Sequence, residues 1–412
     1  MKQVTIVGAG AGSRELLAPK ACQAVQESQM VFGAARLLEV FDLAEKQVFD
    51  TFSPQKICRE IFASNLERFC VVVSGDTGFY SLASSLTESL SGYAEVSWLP
   101  AVSSFSYMLS RLCKPWQEVS AVSLHGRQVD IVPLAMNHPR LFVLTGGDNS
   151  VQAVCQRLTQ AGMGFLEAWA GERLSYPEEK ITHGRAEELA EMSFQGLSVL
   201  YLENPRYTER GVIPILRDED FIRGGVPMTK EEVRTLSLAK LSLQEGDTLY
   251  DVGAGTGSVA VQAALWLRRG RVYAVEQKEE ACQLIEENRE KFGAYNLQLI
   301  PGKAPDVLEE LPPPDCAFIG GSGGSLRKIL QLLLKKNPAV RVVINTVSLE
   351  GMTEALQCLD TLDFEQIEIA AVNISKARQA GKYRLMTAQN PVHILSARGR
   401  IERNGETNLW NV

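Results

Sequence analysis

The stretch Thr248-Leu249-Tyr250-Asp251-Val252-Gly253-Ala254-Gly255-Thr256-Gly257-Ser258 constrains the fold of this chain more than any other. An apolar run leading into alternate glycines and then into a second apolar segment reads as a strand, a tight turn and a helix start. Glycine lets the backbone bend sharply there and approach a ligand with no Cβ in the way. The helix that follows presents free N–H groups to whatever rests on the turn. Several kinds of nucleotide-binding sheet use this device, so the spacing must discriminate among them. A dinucleotide fingerprint Gly-x-Gly-x-x-Gly would need glycine or alanine at 258, where Ser258 stands. The order is instead Asp-x-Gly-x-Gly-x-Gly, led by an acid.

An acid at the strand end suits a ligand carrying a cationic ammonium, as the methionine end of S-adenosylmethionine does, and would repel a pyrophosphate. Arg271–Glu276 reads as the next strand, and a carboxylate at its end can accept both hydroxyls of a ribose. Residues 296–300 then lead to Gly302-Lys303-Ala304, placed to line an adenine pocket. The expected cofactor-binding set is therefore Asp251, Gly253, Ala254, Gly255, Thr256, Gly257, Glu276, Gly302, Lys303 and Ala304. The competing reading leaves Asp251 and Glu276 as ordinary acids at strand ends.

Further strand-like runs at 4–7, 70–73, 141–144, 272–275, 317–319 and 340–344 each alternate with helix-length segments. That pattern predicts an α/β chain built on parallel sheets with crossover helices. A length of 412 residues is comfortable for two domains. The pattern breaks in a charged, turn-rich stretch, which places domains at 1–204 and 226–412 with a linker at 205–225. The net charge of -7 argues against a general nucleic-acid binder. The eight cysteines form no Cys-x-x-Cys and there are four histidines, so no metal site is expected and a reducing compartment is. Strand-like sequence begins directly after Met1-Lys2-Gln3, without a signal peptide, and no apolar run is long enough to span a membrane. The expectation is a cytoplasmic protein with no membrane and no nucleic-acid partner.

Beyond the glycine turn, Phe318-Ile319-Gly320-Gly321-Ser322-Gly323-Gly324 resembles the signature loop of the decarboxylating corrin C15-methyltransferases. Val226 to Arg234, Asn345-Thr346-Val347-Ser348-Leu349-Glu350 and Asn390-Pro391-Val392 are similar to that family as well, so that the likeness covers about 225–396. It implies a class I Rossmann-like methyltransferase fold with one S-adenosylmethionine, and adds Gly320 and Gly321 to the cofactor-binding set. The glycine loop would also let a macrocycle approach backbone N–H groups.

The first half opens on a weaker glycine turn, Gly8-Ala9-Gly10-Ala11-Gly12, followed again by serine at 13. With Ser74-Gly75-Asp76-Thr77-Gly78-Phe79-Tyr80, Leu99-Pro100-Ala101-Val102-Ser103-Ser104 and the run 120–127, it resembles the tetrapyrrole methylase fold, in its corrin C5-methyltransferase branch, over about 1–203. The sequence departs from that family at Thr77, where proline is usual, and in lacking Gly-Pro-Gly in the first loop. The resemblance implies two small α/β lobes with S-adenosylmethionine in a trough between them, held by Gly8, Gly10, Gly75, Asp76, Thr77, Phe79, Ser103 and Ser104. Asp76 reads as a cofactor-positioning residue or as a cap of the helix that follows. His125 is a candidate catalyst or a turn histidine before Gly126; methyl transfer to an electron-rich carbon needs no strong base.

The two halves in this order resemble the fused corrin C5,15-methyltransferases of cobalamin (vitamin B12) biosynthesis. That implies C-methylation of a precorrin or cobalt-precorrin at carbons 5 and 15, loss of the ring C acetate as carbon dioxide, and a homo-oligomer. Such a substrate is a polyanion. Lys376, Arg378, Lys382 and Arg384 lie in a run without acids and stand with Lys230 and Arg234 as a basic rim, or form a solvated loop. Lys230, Arg378 and Arg384 are the candidates for holding substrate carboxylates. A nicotinamide oxidoreductase is disfavoured by Ser13 and Ser258. A tandem methyltransferase acting on another tetrapyrrole, or one half serving as a scaffold, stays open.

Overall fold

The β-branched runs bounded by glycine turns do form strands, and a computed structural model, which describes residues 1–44, 46–126, 129–209 and 215–400, assembles them into four sheets. The backbone divides into two compact units, Met1–Val129 with His138–Arg206, and Asp130–Asn137 with Tyr207–Val412. Arg127, residues 210–214 of the 205–225 stretch, and 401–412 lie outside the described residues.

The first unit holds two five-stranded sheets. One is wholly parallel, in the order Gln47–Asp50, Met30–Gly33, Arg68–Val73, Lys2–Gly8, Ala94–Leu99. Its central strands are nearly all buried because helices cover both faces, which is why they read as continuous rather than alternating apolar runs. The other is mixed: Ser120–Ser123 runs parallel to Arg140–Leu144, and Ser198–Glu203, Glu167–Glu172 and Lys180–Arg185 follow antiparallel. This is the two-lobed α/β arrangement expected of the first half.

The second unit is a seven-stranded sheet in the order Leu297–Pro301, Arg271–Glu276, Thr248–Val252, Cys316–Ile319, Arg341–Thr346, Val392–Gly399, Phe364–Val372. The first five strands are parallel and the last two pairings antiparallel. From Thr248–Val252 the chain winds outward one way to Leu297–Pro301, then returns to Cys316–Ile319 and winds the other way. The two central strands thus flank a topological switch point, where a crevice opens at the carboxyl ends of the strands. The helix Ser258–Trp266 is buried on every side down to Leu265, so its apolar run is a core helix and not an amphipathic surface one. Among the described residues no helix is long and apolar enough to cross a membrane.

Part of the 205–225 stretch is not a free connector. Phe221 is buried in the second unit's core with Leu216 packed beside it, and Asn288 fixes Ile222 by accepting from its N–H at 2.8 Å and donating to its carbonyl at 3.0 Å. The apolar residues at 216 and 221 drive this: left in solvent they would forfeit about 2 kcal/mol each.

Candidate active site

The turn after Thr248–Val252 is built by geometry that only glycine meets. Gly253 has φ 72°, and a Cβ there would lie 2.6 Å from the Gly321 carbonyl oxygen. Gly255 has φ 57°, and its Cβ would lie 2.8 Å from the Pro227 carbonyl oxygen. Three segments distant in sequence therefore meet backbone to backbone around this turn. They enclose a cavity of ≈ 760 Å³, large enough for both a nucleoside-sized cofactor and part of a second reactant. Gly253, Ala254, Gly255, Glu276, Gly320, Gly321 and Lys230 all line it. Gly302, Lys303 and Ala304 line a smaller adjoining pocket of ≈ 40 Å³ that shares Gly253, Glu276 and Gly321 with the larger one.

Asp251, Thr256 and Gly257 do not reach the cavity wall. Gly257 caps the helix Ser258–Trp266, and Thr256 is buried behind the turn. Asp251 is 0% exposed, and neither carboxylate oxygen has a hydrogen-bond partner among the described residues. Burial pushes its pKa up to about 7, with the Glu276 carboxylate adding to the rise; the Ala260 N–H opposes it without reaching hydrogen-bond geometry. The expected direct grip of Asp251 on a ligand ammonium is corrected accordingly: its carboxylate is enclosed beneath the turn, because alternation puts residue 251 on the same face as Leu249, the face covered by the helix Ser258–Trp266.

Glu276 does line the cavity, at 8% exposure, but is already held. Its Oε2 accepts from the Gly255 N–H at 3.0 Å, and its Oε1 accepts from Gln277 at 2.9 Å and Lys278 at 3.0 Å. A carboxylate offers about four acceptor directions, so one remains. That supports one hydroxyl contact in place of the expected bidentate pair. The same bonds lock the carboxylate's aim and tie the glycine turn to the neighbouring strand.

The expected basic rim separates into different roles. Lys230 stands at the start of the helix Glu231–Leu241, on the cavity wall, with no ion-pair partner among the described residues. Arg234, one turn on, is 0% exposed: it donates to the Thr229 carbonyl at 3.0 Å and to the Leu216 carbonyl, pairs with Asp218 at 3.4 Å, and lies over the Phe221 ring. It is a packing residue and unavailable to substrate. Residues 375–388 form a hairpin, Ser375–Ala380 against Tyr383–Ala388, exposed on both faces. Lys376 is paired with Glu232 at 2.7 Å. Arg378 faces Leu385 across the hairpin and Arg384 faces Gln379, so strand alternation places the two arginines on opposite faces. Ile374 and Gln389 at the hairpin's base line the cavity, and Arg378 continues their side of the ribbon. The two arginines therefore do not share the face that continues from the cavity, and neither lines the cavity itself. Ile374, Gln389, Val372 and the Gln277-Lys278 pair are cavity residues that sequence reasoning missed; the only signal was their nearness to Glu276 and to the Asn390-Pro391-Val392 motif.

In the first unit the loops at the carboxyl ends of three parallel strands converge. Gly10 and Gly75 exchange two backbone hydrogen bonds at 3.1 Å each, and a Cβ on Gly8 would lie 2.6 Å from the Gly75 carbonyl oxygen. Asp76 accepts from the Gly78 N–H and, through its other oxygen, from the Ala101 N–H, both at 2.8 Å. It thus ties two loops together and caps no helix. Thr77 is buried, and Ser103 caps the helix Ser104–Arg111, whose first residue is Ser104. Phe79 stacks on Phe105 at 5.5 Å within an aromatic cluster that includes Phe142. His125 is exposed, with its Nδ1 2.1 Å from where a Gly146 Cβ would be, which fits a turn histidine seated on a glycine.

Residues 219–398 match the model of the precorrin methyltransferase domain, and residues 3–190 that of the tetrapyrrole (corrin/porphyrin) methylases. The protein called probable cobalt-precorrin-6B C(15)-methyltransferase (decarboxylating) from Pyrobaculum calidifontis is 44% identical over 45% of this chain and 95% of its own length. The chain belongs to the precorrin methyltransferase family. It is an enzyme that transfers methyl groups, and every cavity residue named above lies in the span that defines the family or directly within its matched half. The precorrin-6Y C(5,15)-methyltransferase [decarboxylating] of a Sinorhizobium species is similar across both halves, 29% identical over 84% of each chain. A crystal structure of a precorrin-6Y C5,15-methyltransferase from Geobacter metallireducens GS-15 is 35% identical, covers 44% of this chain and 95% of that one, and has a TM-score of 0.42.

Proposed function

We propose that this precorrin methyltransferase methylates carbons 5 and 15 of a precorrin or cobalt-precorrin macrocycle and removes its ring C acetate as carbon dioxide, a step of cobalamin biosynthesis. The second unit carries the carbon 15 methylation and the decarboxylation; the first carries the carbon 5 methylation. Each unit binds one S-adenosylmethionine, which when bound supplies a methyl group activated on sulfur. The observation that carries this reading is the ≈ 760 Å³ cavity at the switch point of the second unit, whose wall lies wholly within the matched span 219–398. Gly253, Ala254 and Gly255 put the turn on the wall of that cavity, and the one open acceptor direction of Glu276 fits a ribose hydroxyl.

In this reading the chain's residues mainly align two reactants and exclude water. Gly253, Ala254, Gly255 and Glu276 hold the cofactor's nucleoside end, Gly302, Lys303 and Ala304 flank its base, and Lys230 and Arg378 take carboxylates of the macrocycle. Asp251 supports the turn from below. In the first unit Gly8, Gly10, Gly75 and Asp76 frame the cofactor site, while Phe79 and Ser103 hold the loops around it.

Incubation with S-adenosylmethionine and the precorrin substrate, followed by mass spectrometry, tests the proposal. The expected product gains two methyl groups and loses one carbon dioxide. A product with methyl gains and an intact acetate, or turnover only on another tetrapyrrole, would overturn it.

A further inference from the structure

A second cavity, ≈ 220 Å³, opens behind the glycine loop of the second unit. Gly320, Gly321, Asn345 and Val347 belong to the walls of both this cavity and the larger one, so the two are separated only by backbone and short side chains. Their electrostatic characters differ. The larger cavity carries Lys230 and Lys278 on its wall beside Glu276, whose oxygens are already engaged by three backbone N–H groups, whereas no lysine, arginine or histidine lines the smaller. Its floor is apolar, made by Ile319, Leu326 and Ile344, and its one charged lining residue is Glu354. The hydroxyls at its rim are engaged locally: Thr346 Oγ1 donates to the Ser348 carbonyl at 3.1 Å, and Ser348 Oγ accepts from the Gly351 N–H at 3.0 Å. Arg327, next to the floor residue Leu326, donates instead to Thr361 Oγ1 at 2.8 Å.

A carboxylate that is to leave as carbon dioxide loses its charge on the way to the transition state. A cation beside it would stabilise the ground state more than the transition state and slow the step. Apolar walls and a nearby negative charge do the opposite. We propose that the cation-free cavity receives the acetate that is lost, while the larger cavity holds the cofactor and the macrocycle's other carboxylates. The inference rests on the second unit's decarboxylating role above. The step balances without an outside oxidant or reductant. The methyl arrives as a cationic carbon equivalent on the ring carbon, and the bond from the acetate methylene to the carboxyl breaks. Its electron pair enters the conjugated ring, carbon dioxide departs, and the proton displaced from the methylated carbon ends on the former methylene, making it a methyl.

The test places a cation at the cavity in the full-length enzyme, loaded with S-adenosylmethionine and the precorrin substrate. Glu354 is exposed on the helix Leu349–Thr361, where lysine is an equally good helix former, so Glu354→Lys is expected to fold. Mass spectrometry of quenched single turnovers should show a methylated product that keeps its carboxyl, with carbon dioxide loss per methyl transferred falling about tenfold. Glu354→Gln should lower the same ratio by a smaller factor. An unchanged ratio in the lysine variant, or loss of methyl transfer along with decarboxylation, overturns the inference. Wild-type enzyme that methylates without releasing carbon dioxide would instead sink the functional reading on which it rests.

Discussion

Each unit has a strand running into alternate glycines, Lys2–Gly8 in the first and Thr248–Val252 in the second, and they use that pattern differently. In the second unit the turn leads straight into a helix: Gly257 is its cap, and Gly253 is pinned against Gly321 of the opposite loop. In the first unit, Gly8 to Gly12 leads into a single short turn at Arg14–Leu16, and the next helix waits until Pro19. There the glycines serve loop-to-loop contact, through the paired bonds of Gly10 and Gly75 and through the Tyr176 ring, which lies 2.2 Å from where a Gly12 Cβ would be. The acids beside the glycines diverge too. Both oxygens of Asp76 accept a backbone N–H, while neither oxygen of Asp251 has a partner among the described residues. A glycine turn therefore marks close approach of backbone in both units, but only in the second does it run directly into a helix of more than two turns.

The sharpest way to break this comparison is Gly253→Ala. With φ 72° and a carbonyl oxygen 2.6 Å from the new Cβ, the turn cannot keep its shape. Methylation at carbon 15 should fall at least roughly a hundredfold, and stability should drop by about 2–3 kcal/mol, read by product mass and by urea unfolding. Methylation at carbon 5 should survive. Asp76→Ala is the mirror experiment. Two N–H groups lose their acceptor, so a loss of about 2 kcal/mol is expected, with the deficit in carbon 5 methylation and the carbon 15 product retained.

Asp251→Asn separates an orphaned acid from a tying one. Because the folded protein holds this proton more tightly than an unfolded chain does, the residue's stabilising effect is present below the ordinary carboxylate pKa of 3.8 and is lost as pH rises through about 7. Calorimetry from pH 4 to pH 8 should show a decline in wild-type Tm that the asparagine variant flattens; identical profiles would refute the buried-acid account. The smallest effect concerns the hairpin. Arg378→Ala should raise the substrate KM for carbon 15 methylation about threefold, as expected of a solvent-exposed carboxylate contact, and Arg384→Ala should leave it unchanged. Equal effects from both would show that the face assignment is wrong.

The second unit's sheet and turn were legible because their motifs are local: a strand, its glycines and the acid ending the next strand lie within thirty residues. Its cavity walls at 226–230, 345–347 and 390–392 were visible as motifs without a role, and tertiary packing supplied the role. Arg234 was misread for a reason that also hid the domain's edge. Its partners Leu216, Asp218 and Phe221 sit in a stretch whose charge and turn residues looked like a connector. The opposed faces of Arg378 and Arg384 depend on strand register, which a basic run without strong alternation does not disclose. In the first unit Phe79 looked like a ligand residue from its place beside Gly78, yet its partners Phe105 and Phe142 come from distant elements.

The central claim is that two differently built glycine turns hold two cofactors in one chain. Calorimetric titration of the full-length protein with S-adenosylhomocysteine tests it most directly. The account predicts two sites per chain in the wild type, and one in Gly253→Ala. A single site in the wild type, or preferential binding of a nicotinamide dinucleotide, would contradict it.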